Sequence, residues 1–227
     1  MFKKLYMLFR IGRKLSTSGA ISSIYEIYNP PIIIKFLFFI IGFNLTNKKN
    51  DTNLSPGKKL CIALQEMGTT FIKLGQFLAT RPDIIGENIS EELEKLQDKL
   101  PAFSTKEAKS ILMNELGIEN FSQIENISEP IAAASIAQVH FANIKYANQN
   151  KTVAIKILRP KIEKIFNEEI DALMFLAYTI QIIIKKTKRL KLVEIVLLLR
   201  EITNLEMDLR FEAAAANEFY ENTKNDI

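Results

Sequence analysis

Around Gly117 the hydrophobic pattern changes period, and that change restricts the folds open to this chain more than any other feature. On either side of one central stretch, apolar residues recur at helical spacing. Within the stretch they occur in short runs rich in Ile, Val and Phe, separated by polar turns. SQIENISEP, SIAQVHFANIKY and KTVAIKIL read as three strands, the last two joined by the polar turn ANQNK. From Lys161 the helical pattern returns and continues to the end. Strands clustered between runs of helices, rather than alternating with them, predict an α+β fold with a short antiparallel sheet.

The helical parts carry their own punctuation. GKKLCIALQEMGTTFIKLGQFLAT, SEELEKLQDKL and STKEAKSILMNEL read as successive helices. The last two start at Ser90 and Ser104, and Glu107 stands three residues after Ser104, the capping-box spacing. LVEIVLLLREITNLEMDLRFEAAAANEFYEN reads as one long helix or as two broken near Thr203. The chain divides into a basic, apolar helical segment at 1–55, helices at 56–117, and the sheet with its following helices at 118–227.

Composition excludes several classes. With 227 residues, 48% of them hydrophobic, the chain can bury a real core. One cysteine, Cys61, rules out a disulfide framework, and one histidine, His140, rules out a histidine-based metal cluster. His140 reads as an ordinary strand residue. The net charge of +4 is only mildly basic, and no basic stripe interleaves with stacking aromatics, so nucleic acid is not an expected partner. MFKKLYMLFRIGRKL mixes bulky apolar residues with Lys and Arg as an interfacial helix does, which suits an anionic membrane surface. No small-residue cleavage site follows it. PIIIKFLFFIIGF and ALMFLAYTIQIII each run for 13 residues. A membrane span needs roughly 20, so both read as buried or interfacial helices.

Three patterns point to chemistry. In VAIK, strand alternation puts Val153 and Ile155 on one face and Ala154 and Lys156 on the other, leaving a small residue beside the ammonium. Just upstream, Ala132, Ala133, Ala134 and Ser135 stand where a phosphate-cradling loop would be glycine-rich. Alanine excludes much of the positive-φ space that glycine permits, so such a loop is stiffer. Helical spacing places Thr69, Lys73, Gln76 and Thr80 on one polar face and Phe71, Leu74 and Leu78 on an apolar one. Gly75 between them lets a neighbouring backbone approach. Downstream, Glu206 and Arg210 stand at the favourable i,i+4 spacing. Asp208 and Glu212 share that spacing with like charges, which calls for a cation between them, with Lys156 as the candidate.

GTTFIKLGQFLATRPDIIGENISEELEKLQDKLPAF, PIAAASIAQVHFANI, VAIKILRP and LEMDLRFEAAAANEF, in this order over residues 57 to 220, resemble the UbiB family, the ADCK group of atypical protein-kinase-like proteins. The resemblance implies a protein-kinase-like small lobe behind a helical extension. It puts a KxGQ motif on Lys73, Gly75 and Gln76, whose helix folds over the active site, and an ExD pair on Glu206 and Asp208. It makes the alanine loop and Lys156 nucleotide-binding, with Glu212 as the lysine's ion partner.

It further implies ATP with Mg as cofactor, a role in ubiquinone biosynthesis with the proteins of that pathway as partners, and a peripheral place on the cytoplasmic side of the bacterial inner membrane. Departures are equally plain. There is no DFG, no His-Arg-Asp catalytic loop and no metal-binding asparagine after one. Asp83 to Asn88 in DIIGEN has a similar spacing but lies upstream of the lysine strand, and it reads as coincidence. The expectation is a chain without the large lobe, with no catalytic or metal-ligating residues of its own. Alone it would be inactive, serving as the nucleotide-binding half of a kinase or ATPase. The alternatives are a non-catalytic membrane- or protein-binding module, or a half-enzyme completed by a separate large lobe.

Overall fold

A computed structural model of the chain describes residues 2–17, 32, 54–96, 100–146, 149–183 and 185–226. The chain forms two compact units, residues 1–97 together with 163–227, and residues 98–162.

The first unit is helical. Its members are α1 (Phe2–Thr17), α2 (Pro56–Met67), α3 (Thr69–Ala79), the single turn α4 (Pro82–Ile85), α5 (Glu87–Glu94), α7 (Ile162–Ile183), α8 (Leu192–Met207) and α9 (Leu209–Thr223), with a 3-10 helix at Lys185–Leu190. The segment read as one helix from Gly57 to Thr80 is two. Gly68 sits between α2 and α3 at φ 99° and ψ −168°, a conformation outside the reach of side-chain-bearing residues, so the chain turns there. Likewise α5 starts at Glu87 rather than at Ser90. Ser90 lies buried inside the helix and donates its hydroxyl to the Ala79 carbonyl.

Leu64, Met67, Phe71, Leu93 and Leu96 from α2, α3 and the α5 region form the core of this unit. Met7 and Ile11, four residues apart on α1, join it, and Arg10 beside them pairs with Glu169 at 3.0 Å. The face of α1 carrying Met7 and Ile11 is therefore buried in the protein, while Tyr6 and Phe9 are exposed. The apolar run 172–184 falls largely within α7, where Ala172 joins the same core. The run 31–43 lies outside the described residues except for Ile32. Among the described residues no helix is long and apolar enough to cross a membrane.

Among the described residues, the second unit holds α6 (Thr105–Phe121) and four strands, β1 (Ile124–Glu125), β2 (Pro130–Ala133), β3 (Ala137–Tyr146) and β4 (Gln149–Leu158). Ser104 caps α6 as its spacing predicts, its hydroxyl accepting the Glu107 N–H at 3.2 Å. At Gly117 the φ is 76°, which ends the regular helix where the sequence changes period. The sheet is antiparallel around β3. β4 pairs along its whole length on one edge, from Ala137 opposite Leu158 to Tyr146 opposite Gln149. β1 pairs with Asn143 and Ile144, and β2 with residues from Gln138 to His140. The run read as a single strand, SQIENISEP, thus holds only the two residues of β1 and the first residue of β2. Ile157 of β4 is buried against Ala108 and Leu112 of α6, with Ile155 packed beside it, so the alternation read in VAIKIL gives the side facing the helix.

Candidate functional site

Lys73 and Glu206 are far apart in sequence, yet their side chains meet at 2.8 Å. Lys73 projects from α3 and Glu206 from the last turn of α8, both within the helical unit. The Lys73 side chain is only 13% exposed and that of Glu206 37%, so the pair is half-buried and solvent only partly screens it. One turn before each partner lies a buried threonine, Thr70 on α3 and Thr203 on α8, whose hydroxyl meets no hydrogen-bond partner among the described residues. These polar groups lie one turn apart on each of the two helices. The KxGQ helix is less amphipathic than its sequence suggests, because Thr70, Phe71, Ile72 and Gly75 are all buried. Gly75 is needed for side-chain space rather than for a neighbouring backbone. A Cβ there would run into Leu96 and would lie 2.9 Å from Leu64.

The acidic helix breaks at Asp208, not near Thr203, and the break redistributes its ion pairs. Asp208, at φ −85° and ψ 87°, ends α8 and caps α9, its carboxylate accepting the Arg210 N–H at 3.2 Å. Residues 206 and 210 are consequently not on one helix face. Arg210 pairs with Asp208 instead of Glu206, through two contacts at 2.8 and 2.6 Å. The Arg210 guanidinium holds the Asp208 carboxyl below its ordinary range. The like-charge strain expected between Asp208 and Glu212 also dissolves. Arg210 is the cation beside Asp208, and Glu212 sits in the first turn of α9, where the helix dipole favours a negative charge. Beside the break is a cleft of about 320 Å³ lined by Glu163, Asn167, Asn204, Met207, Asp208 and Arg210. Among the described residues, no three His, Cys, Asp or Glu side chains converge as metal ligands. Asp83 is bound by Arg81 through two contacts at 2.8 Å, an exposed local pair.

In the sheet unit, Lys156 lies on β4 opposite Val139, with exposed Ala154 two residues before it. Ala132 and Ala133 are strand residues of β2, opposite Val139 and Gln138. The turn proper is Ala134 to Ala137, and its tip, Ser135 and Ile136, is buried. The Ala134 N–H donates to the Ala137 carbonyl at 2.8 Å, so that amide is committed to the turn. Lys156 belongs to one compact unit and Glu212 to the other. The donor set suits a nucleotide phosphate in kind: an ammonium on a strand, a small residue beside it, and a tight turn at the strand end. Such residues would hold the phosphates, and Mg-ATP would supply the transferable phosphoryl group.

Two groups to which the sequence assigns no functional role organise this unit. His140 is fully buried. Its Nδ1 lies 2.7 Å from the Ser128 carbonyl and its Nε2 2.8 Å from the Gln138 amide nitrogen. A carbonyl only accepts, so Nδ1 carries the proton and Nε2 accepts from Gln138. Gln138 in turn pairs with both backbone groups of Phe103, at 3.0 and 3.1 Å. His140 is thus the satisfied strand residue expected of it, though with a structural duty. The other group is Arg159, whose guanidinium reaches the alanine turn. Its sequence signal was only its position next to Pro160 at the end of β4.

A sequence model of the ABC1 atypical kinase-like domain matches residues 95–227, more than half of the chain. The chain belongs to the ABC1 atypical kinase-like family. Among curated proteins it is similar to the "Probable protein kinase UbiB" of Marinobacter nauticus, 33% identical over 86% of this chain and 35% of that protein. The protein of the same name from Aeromonas salmonicida is 31% identical over 95% of this chain and 38% of its own length. That of Pseudomonas aeruginosa is 38% identical over 74% and 31%. The chain thus spans about a third of the length of the curated relatives it matches. No solved structure matches it. In family terms, its short antiparallel sheet and helices are the small-lobe portion of the ABC1 domain, preceded by the helical extension.

Proposed function

We propose that this ABC1-family chain is the nucleotide-binding portion of a UbiB-like atypical kinase or ATPase that supports ubiquinone biosynthesis from the cytoplasmic face of the bacterial inner membrane. The observation that carries this reading is the Lys73–Glu206 ion pair, which joins the KxGQ helix to the ExD helix as a cleft-covering extension requires. Lys156 contacts the phosphates of Mg-ATP, and the alanine turn covers the nucleotide. Lys73, Gly75, Gln76, Glu206 and Asp208 restrict access to the cleft. The metal ligands and the catalytic aspartate belong to a large lobe that this sequence does not supply.

Taken alone, the chain binds ATP weakly and does not turn it over. Isothermal titration of the full chain with Mg-ATP, beside Lys156→Ala, tests this. Weak binding that Lys156→Ala abolishes, without loss of helical circular dichroism, supports the reading. Binding indifferent to Lys156 removes the lysine from the site, and low-micromolar affinity overturns the need for a second lobe.

One observation favours a second reading, a half-enzyme completed by a separately encoded large lobe. Helix α9 buries none of its residues and leaves Phe211, Phe219 and Tyr220 exposed. Co-expression with a relative's large lobe, followed by an ATPase assay, separates the two.

A further inference from the structure

The turn between β2 and β3 has a shape that its own residues do not explain. Its two central residues are Ser135 and Ile136. Two-residue hairpin turns that match the twist of their strands need positive φ at the first central residue or at both, and so favour glycine or asparagine. Among the described residues, the non-glycine positions with positive φ are Asn126, Lys161 and Lys191, so neither Ser135 nor Ile136 adopts it. A β-branched Ile136 would be strained there in any case. The turn therefore closes from one side only. Ala134 N–H donates to the Ala137 carbonyl, but the Ala134 carbonyl, which in a tight hairpin receives the Ala137 N–H, receives Arg159 instead.

Arg159 holds the turn at one shoulder and at its second central residue. Its Nε and Nη2 donate to the Ala134 carbonyl at 2.9 and 2.7 Å, and its backbone N–H donates to the Ile136 carbonyl at 2.8 Å. Beyond the turn, Nη1 donates to the Pro101 carbonyl at 3.0 Å and Nη2 to the Leu100 carbonyl at 3.3 Å. One planar fork thus satisfies carbonyls from two separate chain segments with charge-assisted bonds, which the single point charge of a lysine does not reproduce. Arg159 also directly follows the strand that carries Lys156, three residues away. Turn and lysine are fastened to one frame.

We propose that Arg159 is the positioning residue of the alanine turn, replacing by a side-chain clamp the conformational role that glycine plays in flexible phosphate loops. That the clamped turn meets a nucleotide phosphate rests on the function proposed above; the clamp itself does not.

The test is hydrogen–deuterium exchange on the full chain as wild type, Arg159→Lys and Arg159→Ala, with binding of a fluorescent ATP analogue measured on the same proteins. The amides of residues 134–137 exchange about tenfold faster in both variants, while the paired middle of β3 and β4 keeps its wild-type protection. Analogue affinity falls by about tenfold, the loss expected when a pre-shaped loop must be ordered on binding. Adding Ser135→Asn with Ile136→Gly to Arg159→Ala supplies a turn that closes unaided and restores protection. Unchanged exchange at the turn, exchange that rises uniformly over the sheet, or failure of the double replacement to restore protection each overturns the clamp. A wild-type chain that does not bind the analogue overturns the nucleotide reading instead, and the exchange data still decide the clamp.

Discussion

The Lys73–Glu206 pair shows how a single residue's environment sets what its charge is worth. On an open surface such a pair contributes little, because solvent screens it and two long side chains must be ordered. Lys73 is only 13% exposed and meets Glu206 at 2.8 Å, so its attraction is less screened, although Glu206 at 37% keeps contact with water. Glu206→Gln is expected to lower unfolding stability by about 1 kcal/mol, read from urea denaturation. A double-mutant cycle with Lys73→Met then gives a coupling of similar size. Additive single effects would show that the two side chains are near each other without acting together. At Cys61 burial decides the chemistry in another way. The thiol is buried, and burial together with the Glu92 carboxylate pushes its pKa up, which keeps it protonated and inert at neutral pH.

At the scale of elements, glycine positions explain where helices stop and how closely they pack. Gly68 ends α2 by adopting a backbone conformation closed to other residues. Gly75, inside α3, has ordinary helical geometry and matters because it has no side chain, with Leu96 and Leu64 filling the space where one would be. Gly75→Ala gains about 1 kcal/mol of helix propensity but overpacks a filled core, at a cost of about 1–3 kcal/mol. The expected net is a destabilised protein, visible as a lower thermal midpoint, and a raised midpoint would mean that the two leucines yield freely. The break at Asp208 follows from competition for its carboxylate. Once Asp208 accepts the Arg210 N–H it cannot continue the helix, and the polar cap outweighs the continuous apolar periodicity that suggested a longer element.

For the molecule as a whole, the prominent feature is apolar surface that the described residues leave uncovered. Leu198, Ile202 and Leu205 form a stripe along the outer side of α8, and α9 adds Phe211, Phe219 and Tyr220. Exposed apolar patches of this kind mark interaction surfaces or association. Since the chain spans about a third of its relatives' length, we expect the purified chain to self-associate as concentration rises, in sedimentation velocity at moderate salt. A concentration-independent monomer would count against an unfilled interface. Replacing Leu198 and Leu205 with Lys should suppress the association without loss of helicity.

The sequence by itself determined the class of the fold and the identity of its motifs. Period-2 and period-3.6 patterns are local properties of the chain, and the change at Gly117, the Ser104 cap, the lysine strand and the order of the four motifs were all legible for that reason. The tertiary structure alone decided which charges pair and what shapes the turn. Lys73 finds Glu206 and Arg159 reaches back to the Ala134 carbonyl, because ion pairs and clamps depend on distances between segments that no local pattern encodes. Spacing gave the neighbours along each helix, but the helix break turned Arg210 to Asp208 two residues before it, and the packing of α3 and α8 gave Lys73 a partner from elsewhere in the chain. Sequence periodicity fixes which face of an element is apolar, whereas the pairing of polar groups is settled only when those faces come together and each buried donor and acceptor must find a partner.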